Sequence, residues 1–105
     1  MAGNIEILNK KTFDDFISKG TIIVDFYANW CNPCKIMAPA FEKAASKSKT
    51  VKFAKVDVDG NQEIAMRYGI MSIPTTIVFK NGNVKDMYTG ALSENEILKL
   101  AEKYK

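Results

Sequence analysis

Two hydrophobic periodicities alternate along this chain, and their order predicts a mixed α/β fold. Runs rich in β-branched and aromatic residues predict strands at 21–28 and 51–58, and the first run is apolar on both faces, as in a buried strand. Apolar residues three and four positions apart predict helices between the strands. The longest of these follows Cys31 and contains Pro39, which should remove one helical hydrogen bond and kink the helix.

Short turn and capping signals mark the later elements. Asn81-Gly82 separates two β-branched runs and is a favoured two-residue hairpin turn. Ser93 followed by Glu96 matches a capping box that opens a last helix. The remaining strands are expected at residues 5–7, 75–80 and 83–89. The order β-α-β-α-β-α-β-β-α predicts parallel crossovers in the first half, an antiparallel hairpin in the second, and helices flanking one sheet.

Length and charge exclude several classes of protein. The 105 residues predict a single domain over 1–105, and 15 basic against 12 acidic residues give a net charge of +3 with the signs interspersed. No basic stripe predicts nucleic-acid binding, and the longest apolar run ends at Asp25, too short for a membrane span. No secretory signal opens the chain, so we expect a cytoplasmic protein with mostly reduced thiols.

The chain has two cysteines and no histidine, which excludes a Cys–His nucleophile pair and any histidine-bound metal. Cys31 and Cys34 form a C-x-x-C at a strand-to-helix junction. Four interpretations are open: a structural disulfide, half of a metal site, two inert buried thiols, or a redox-active pair. A four-residue ring stabilises little, and no further cysteine or histidine completes a metal site, so we expect no metal and favour the redox pair.

The surrounding residues suit redox chemistry. Pro33 fits the first helical position, which places Cys31 beside the unpaired N–H groups and positive dipole of the helix start. This environment, with Lys35 nearby, favours the thiolate that attacks disulfides. Cys34, one turn further in, should be more shielded and should resolve the mixed disulfide, helped by its proximity.

Motifs throughout the chain resemble the thioredoxin family. W-C-N-P-C-K at 30–35 is similar to the family's W-C-G-P-C-K, and D-F-Y-A before it is similar to the family's D-F-W-A. After it, K-V-D-V-D-G-N, R-Y-G-I, S-I-P-T-T and F-K-N-G fall in family order and spacing. The resemblance implies a thioredoxin fold with a central mixed five-stranded sheet and four flanking helices. It also implies a general protein-disulfide reductase that is a monomer without a bound cofactor. Its expected partners are a thioredoxin reductase, which recharges it, and disulfide-containing proteins such as reductases and peroxidases that need a dithiol donor.

The resemblance makes Asp25 the buried carboxylate behind the cysteines. An aspartate inside an apolar strand is costly, and burial raises its pKa into a range useful for proton transfer. Asp25 is then the candidate to deprotonate Cys34, directly or through a water. The alternative is an aspartate neutralised by Lys55 on the neighbouring strand without a catalytic role.

The resemblance also implies a substrate groove around Cys31. Pro74 would be a cis-proline that leaves the backbone of Ile73 free to pair with an extended substrate, although most prolines are trans. The groove would be lined by Trp30, Ile73, Gly90 and Ala91. The alternative for Trp30 is an aromatic residue of the core, and the alternative for Gly90 is an ordinary turn glycine.

Asn32 replaces the family's usual glycine between the cysteines. Because this position lies at the helix start, the replacement bears on the thiol pKa and the redox potential of the pair. Pro33 stands where disulfide oxidases and isomerases of the superfamily commonly carry histidine, so the motif favours a reductase. Two other functions stay open: a disulfide oxidase or isomerase, and a non-enzymatic binding subunit on the same fold.

Overall fold

The computed structural model describes residues 4–105. Met1, Ala2 and Gly3, which belong to the segment where no secretory signal is expected, lie outside the described residues. Five strands and four helices alternate in the predicted order. The strands are β1 (Ile5–Leu8), β2 (Thr21–Tyr27), β3 (Lys52–Asp57), β4 (Thr75–Lys80) and β5 (Asn83–Thr89). The helices are α1 (Phe13–Ile17), α2 (Asn32–Lys47), α3 (Gln62–Arg67) and α4 (Glu94–Tyr104).

One sheet with the strand order β1-β3-β2-β4-β5 contains all five strands. β3 pairs in parallel with both β1 and β2, whereas β4 is antiparallel to β2 and β5 is antiparallel to β4. The mixed five-stranded sheet with four helices confirms the fold predicted from the sequence. β2 is central and has buried residues on both faces, as its apolar run predicts.

Alternation along β2 divides the core into two layers. Ile22, Val24 and Phe26 pack against α1 and α3, and Ile23 packs against α2 and α4. Because side chains on a strand alternate between faces, Asp25 lies on the same face as Ile23, beneath the two longer helices. The only charged residue inside the buried part of β2 therefore points toward the helix that carries Cys34.

The predicted hairpin turn and capping box both form at the expected residues. Asn81 and Gly82 both have positive φ, 51° and 85°, and close the β4–β5 hairpin. The Ser93 side chain accepts from the Glu96 N–H, and the Glu96 side chain accepts from the Ser93 N–H, which confirms the capping box of α4. Pro39 lies inside α2 without ending it.

One boundary prediction needs correction. α2 begins at Asn32, so Pro33 occupies the second helical position, which tolerates proline because its N–H would also lack a partner in the helix. α3 is preceded by Asn61, but the Asn61 side chain does not cap it; its amide donates to the Asp57 carbonyl at 3.0 Å instead.

Candidate active site

The strand-to-helix junction between β2 and α2 holds the two cysteines. They form a disulfide with 5.3 Å between their Cα atoms, and Cys31 is the N-cap of α2. Cys31 Sγ accepts a hydrogen bond from the Cys34 backbone N–H at 3.2 Å. The first unpaired N–H groups of a helix carry partial positive charge, so a thiolate at Cys31 would be stabilised where this sulfur now lies.

The prediction that Cys34 is more shielded than Cys31 is wrong for the exposure of the two residues. Each is 4% exposed, so Cys34 is no more shielded than Cys31 when both are considered as whole residues. The asymmetry lies in the cavity beside them, which Cys31 lines and Cys34 does not. The turn brings Cys31 to the cavity edge, and helical geometry places Cys34 one turn inward.

An open, mostly apolar cleft of about 610 Å³ borders Cys31. Trp30 is 68% exposed at its edge, and its indole N–H donates to the Asp59 carboxylate at 2.8 Å. Trp30 is therefore a partly exposed platform, not a core aromatic. Asn32, Pro33 and Ile73 also line this cleft, whose other walls are Val58, Asp59, Gln62, Ala65, Met66, Ile70, Met71 and Ser72.

The α3 side of this cleft is not predicted by the sequence motifs. Met66 and Met71 are 79% and 95% exposed, which is unusual for large apolar side chains, and Asp59 orients the tryptophan. Asp59 lies in the K-V-D-V-D-G-N motif, and the two methionines flank R-Y-G-I. The motifs that carry the family resemblance therefore already included or bordered these residues. Sequence motifs placed these residues in order along the chain but did not show that they share a wall with Cys31.

The other expected groove residues meet at a second point beside the cysteines. The Ile73–Pro74 peptide bond is cis, and the Ile73 carbonyl oxygen lies 3.7 Å from Cys31 Sγ. The Gly90 N–H donates to the Pro74 carbonyl at 2.8 Å, which holds Gly90 against the same loop. Pro74, Gly90 and the exposed Ala91 do not line the 610 Å³ cleft, so of the residues predicted for the groove that cleft contains Trp30 and Ile73.

Gly90 combines a backbone requirement with open space. Its φ of +103° is a conformation that residues with a Cβ rarely adopt, and a Cβ there would meet no atom within 4 Å. Both interpretations of this glycine therefore have support: it is a turn glycine, and the surface in front of it is open to an approaching chain.

Asp25 is fully buried on β2, and burial raises its pKa from 3.8 to about 7, with Lys55 opposing the rise. Across residues 4–105, neither of its carboxylate oxygens has a hydrogen-bond partner. Lys55 is its register partner on β3, but the Lys55 ammonium lies 4.6 Å from the ring centroid of Tyr27. Among the described residues, Lys55 therefore forms no hydrogen bond with Asp25, and its charge lowers the pKa of that carboxyl without offsetting the effect of burial.

Lys35 follows Cys34 on the exposed side of α2, where it adds positive charge to the helix start. Within residues 4–105, no cluster of three or more His, Cys, Asp or Glu side chains could hold a metal ion. No helix in the same range is both long and apolar enough to cross a bilayer.

Comparison with known proteins agrees with the site. A thioredoxin family model matches residues 4–103. The thioredoxin of Mycoplasmoides gallisepticum is 46% identical over 95 residues, covering 90% of this chain and 95% of that protein. The thioredoxin of Bacillus subtilis is 39% identical over 95 residues, covering 90% and 91%. A solved structure of Plasmodium falciparum thioredoxin is 39% identical with a TM-score of 0.88, covering 95% of this chain and 99% of that one.

The family model and these relatives cover nearly the whole chain, and the solved structure shares its fold. The chain belongs to the thioredoxin family.

Proposed function

We propose that this protein is a general protein-disulfide reductase in which Cys31 attacks and Cys34 resolves. The observation that carries the proposal is a disulfide at the start of α2 whose Cys31 sulfur borders an open apolar cleft. A substrate disulfide reaches Cys31 from that cleft, while Cys34 is withdrawn from it. The helix start and Lys35 favour the attacking thiolate.

The reaction proceeds in two exchanges. The Cys31 thiolate bonds to one sulfur of the substrate disulfide, and the other substrate sulfur leaves as a thiolate. Cys34 then loses its proton to Asp25 and attacks Cys31 Sγ, which releases the second substrate sulfur and leaves the Cys31–Cys34 disulfide. Two electrons pass to the substrate, and a thioredoxin reductase restores the dithiol. The thiols themselves carry the electrons, so no cofactor is needed.

Asp25 is the proposed proton acceptor because its pKa of about 7 lets it hold or release a proton near neutral pH. It lies on the sheet face that α2 covers. Trp30, Ile73, Pro74, Gly90 and Ala91 form the proposed substrate-contact residues, with Asn32, Pro33 and Lys55 as supporting residues.

We further propose that residues 1–105 act as one monomeric thioredoxin domain in the cytoplasm. Its partners are a thioredoxin reductase and disulfide-containing proteins, including reductases and peroxidases that need a dithiol donor. Neither nucleic acid nor a membrane has a role in this proposal.

The test is insulin reduction with dithiothreitol as electron source. Cys31→Ser should abolish turnover, and Cys34→Ser should accumulate mixed disulfides that a non-reducing gel resolves. Wild-type turnover by Cys31→Ser would refute the assignment of the nucleophile. Equilibration with glutathione separates a reductase from an oxidase, because an oxidase pair stays reduced under a more oxidising poise. A double Cys→Ser variant that keeps the cellular role would instead indicate a binding subunit.

A further inference from the structure

Three buried polar atoms without a hydrogen-bond partner lie at one place in the sheet. Among the buried side chains of residues 4–105, they are the two carboxylate oxygens of Asp25 and the hydroxyl of Thr76. Both residues are fully buried. Buried polar groups are nearly always hydrogen-bonded, because an unpartnered one retains its desolvation cost, so an adjacent unpartnered donor and acceptor require an explanation.

Strand register makes the two residues neighbours. Asp25 on β2 is the direct partner of Thr76 on antiparallel β4. Directly opposite side chains project from the same face with their Cβ atoms about 5 Å apart. That face is the one covered by α2 and α4, since Ile23 and Val78, each two residues away, both pack there. In the structure, the Thr76 hydroxyl and the Asp25 carboxylate are not hydrogen-bonded to one another.

We propose that Thr76 is a positioning residue for Asp25, whose hydroxyl donates a hydrogen bond to the carboxylate when that group is ionised. The inference rests on the proposed role of Asp25 as proton acceptor. A neutral carboxyl needs this donor little, whereas a buried carboxylate gains from it strongly. Thr76 thereby stabilises the form of Asp25 that exists after Cys34 has lost its proton.

The remaining charged and titratable groups on this face do not supply such a donor. The Lys55 ammonium lies over the Tyr27 ring, and Asp57, two residues further along β3, has a carboxylate, which is an acceptor. Tyr88 is the register partner of Thr76 on β5, but its hydroxyl donates to Asp86 at 2.8 Å. The cysteines of α2 are joined to each other in the disulfide form.

The first test is the titration of Asp25 in the oxidised protein, followed through the carbonyl-carbon NMR signal of labelled aspartate. Thr76→Val keeps the shape and removes the hydroxyl, so the midpoint should rise by about one pH unit or more. Thr76→Ser should restore the wild-type midpoint. Thr75→Val is the matched control, because the Thr75 hydroxyl donates to the Ser72 carbonyl at 2.7 Å and its side chain lies on the opposite face.

The second test separates positioning from packing. If the Thr76 hydroxyl is merely unsatisfied, Thr76→Val should stabilise the protein equally at pH 5 and pH 9. If the hydroxyl donates to ionised Asp25, the variant should be no less stable than wild type at pH 5 but less stable than wild type at pH 9. Urea unfolding of the oxidised form measures both differences. A pH-independent change, or an unchanged Asp25 midpoint, would overturn the inference. Neither readout requires turnover, so a failure of the proposed enzymatic function would be detected separately, by the insulin assay.

Discussion

Asp25 and Lys55 are register partners on β2 and β3, yet the Lys55 ammonium lies over the Tyr27 ring, 4.6 Å from its centroid. Across residues 4–105, the Asp25 carboxylate has no hydrogen-bond partner. Lys55 therefore acts on Asp25 through its charge at a distance. A contact ion pair would hold Asp25 ionised, whereas this arrangement leaves its pKa at about 7, where a proton can be gained or lost.

Asp25→Asn should remove a pH-dependent loss of stability. Burial raises the folded-state pKa from 3.8 to about 7, so the folded protein holds a proton that the unfolded chain releases. The free energy of unfolding therefore falls by about 1.4 kcal/mol per pH unit between these values, about 4 kcal/mol in all. The variant should match wild type near pH 4 and exceed it by several kcal/mol at pH 8. Urea unfolding of the oxidised protein at both pH values measures this difference, and equal differences at the two would contradict the assignment.

Lys55→Met should raise the Asp25 pKa above its present value. Lys55 lowers that pKa by Coulombic attraction, and methionine keeps the length of the side chain without the charge. Lys52→Met is the matched control: it lies on the same strand but on the other face, over the Phe16 ring at 5.3 Å. NMR titration of the Asp25 carboxyl group should show a higher midpoint in the first variant alone. A rise of equal size in both would point to a change in net charge, not to a local effect.

Met71→Gln should weaken the capture of protein substrates. Met71 is 95% exposed on the cleft that borders Cys31, and a polar amide there loses apolar contact with the docked chain. The KM for insulin should rise about threefold, with kcat unchanged. Met87→Gln, on β5 and outside the cleft walls, is the control and should leave KM as in wild type. If both variants or neither raised KM, Met71 would not contact the substrate.

Gly90→Ala should lower stability and hinder protein substrates together. The φ of +103° disfavours a Cβ by about 1 kcal/mol or more, and the methyl group would project into the open space where we propose that a substrate backbone binds. Gly60→Ala is the matched control, since Gly60 has no positive φ and open surroundings. We expect a higher KM for insulin and little change in the KM for a small aromatic disulfide. An equal loss on both substrates would indicate damage to the cysteine pair itself.

The sequence predicted most of the fold because its signals are local. The Asn81-Gly82 turn and the capping box of Ser93 and Glu96 depend on neighbouring backbone groups, so their residues alone specify them. The start of α2 was misplaced by one residue at Pro33, because the first turn of a helix accepts proline at more than one position. Asn61 precedes α3 without capping it, because its side-chain amide donates to the Asp57 carbonyl.

The sequence by itself determined the order of elements, the C-x-x-C pair at a helix start and the presence of a costly aspartate within an apolar strand. The tertiary structure decided which distant residues meet: Asp59 with Trp30, Met71 with Cys31 across one cleft, and Thr76 opposite Asp25. It also decided that Lys55 lies over Tyr27. Periodicity and turn chemistry act over a few residues, whereas strand register and side-chain placement depend on how the whole sheet and its helices pack.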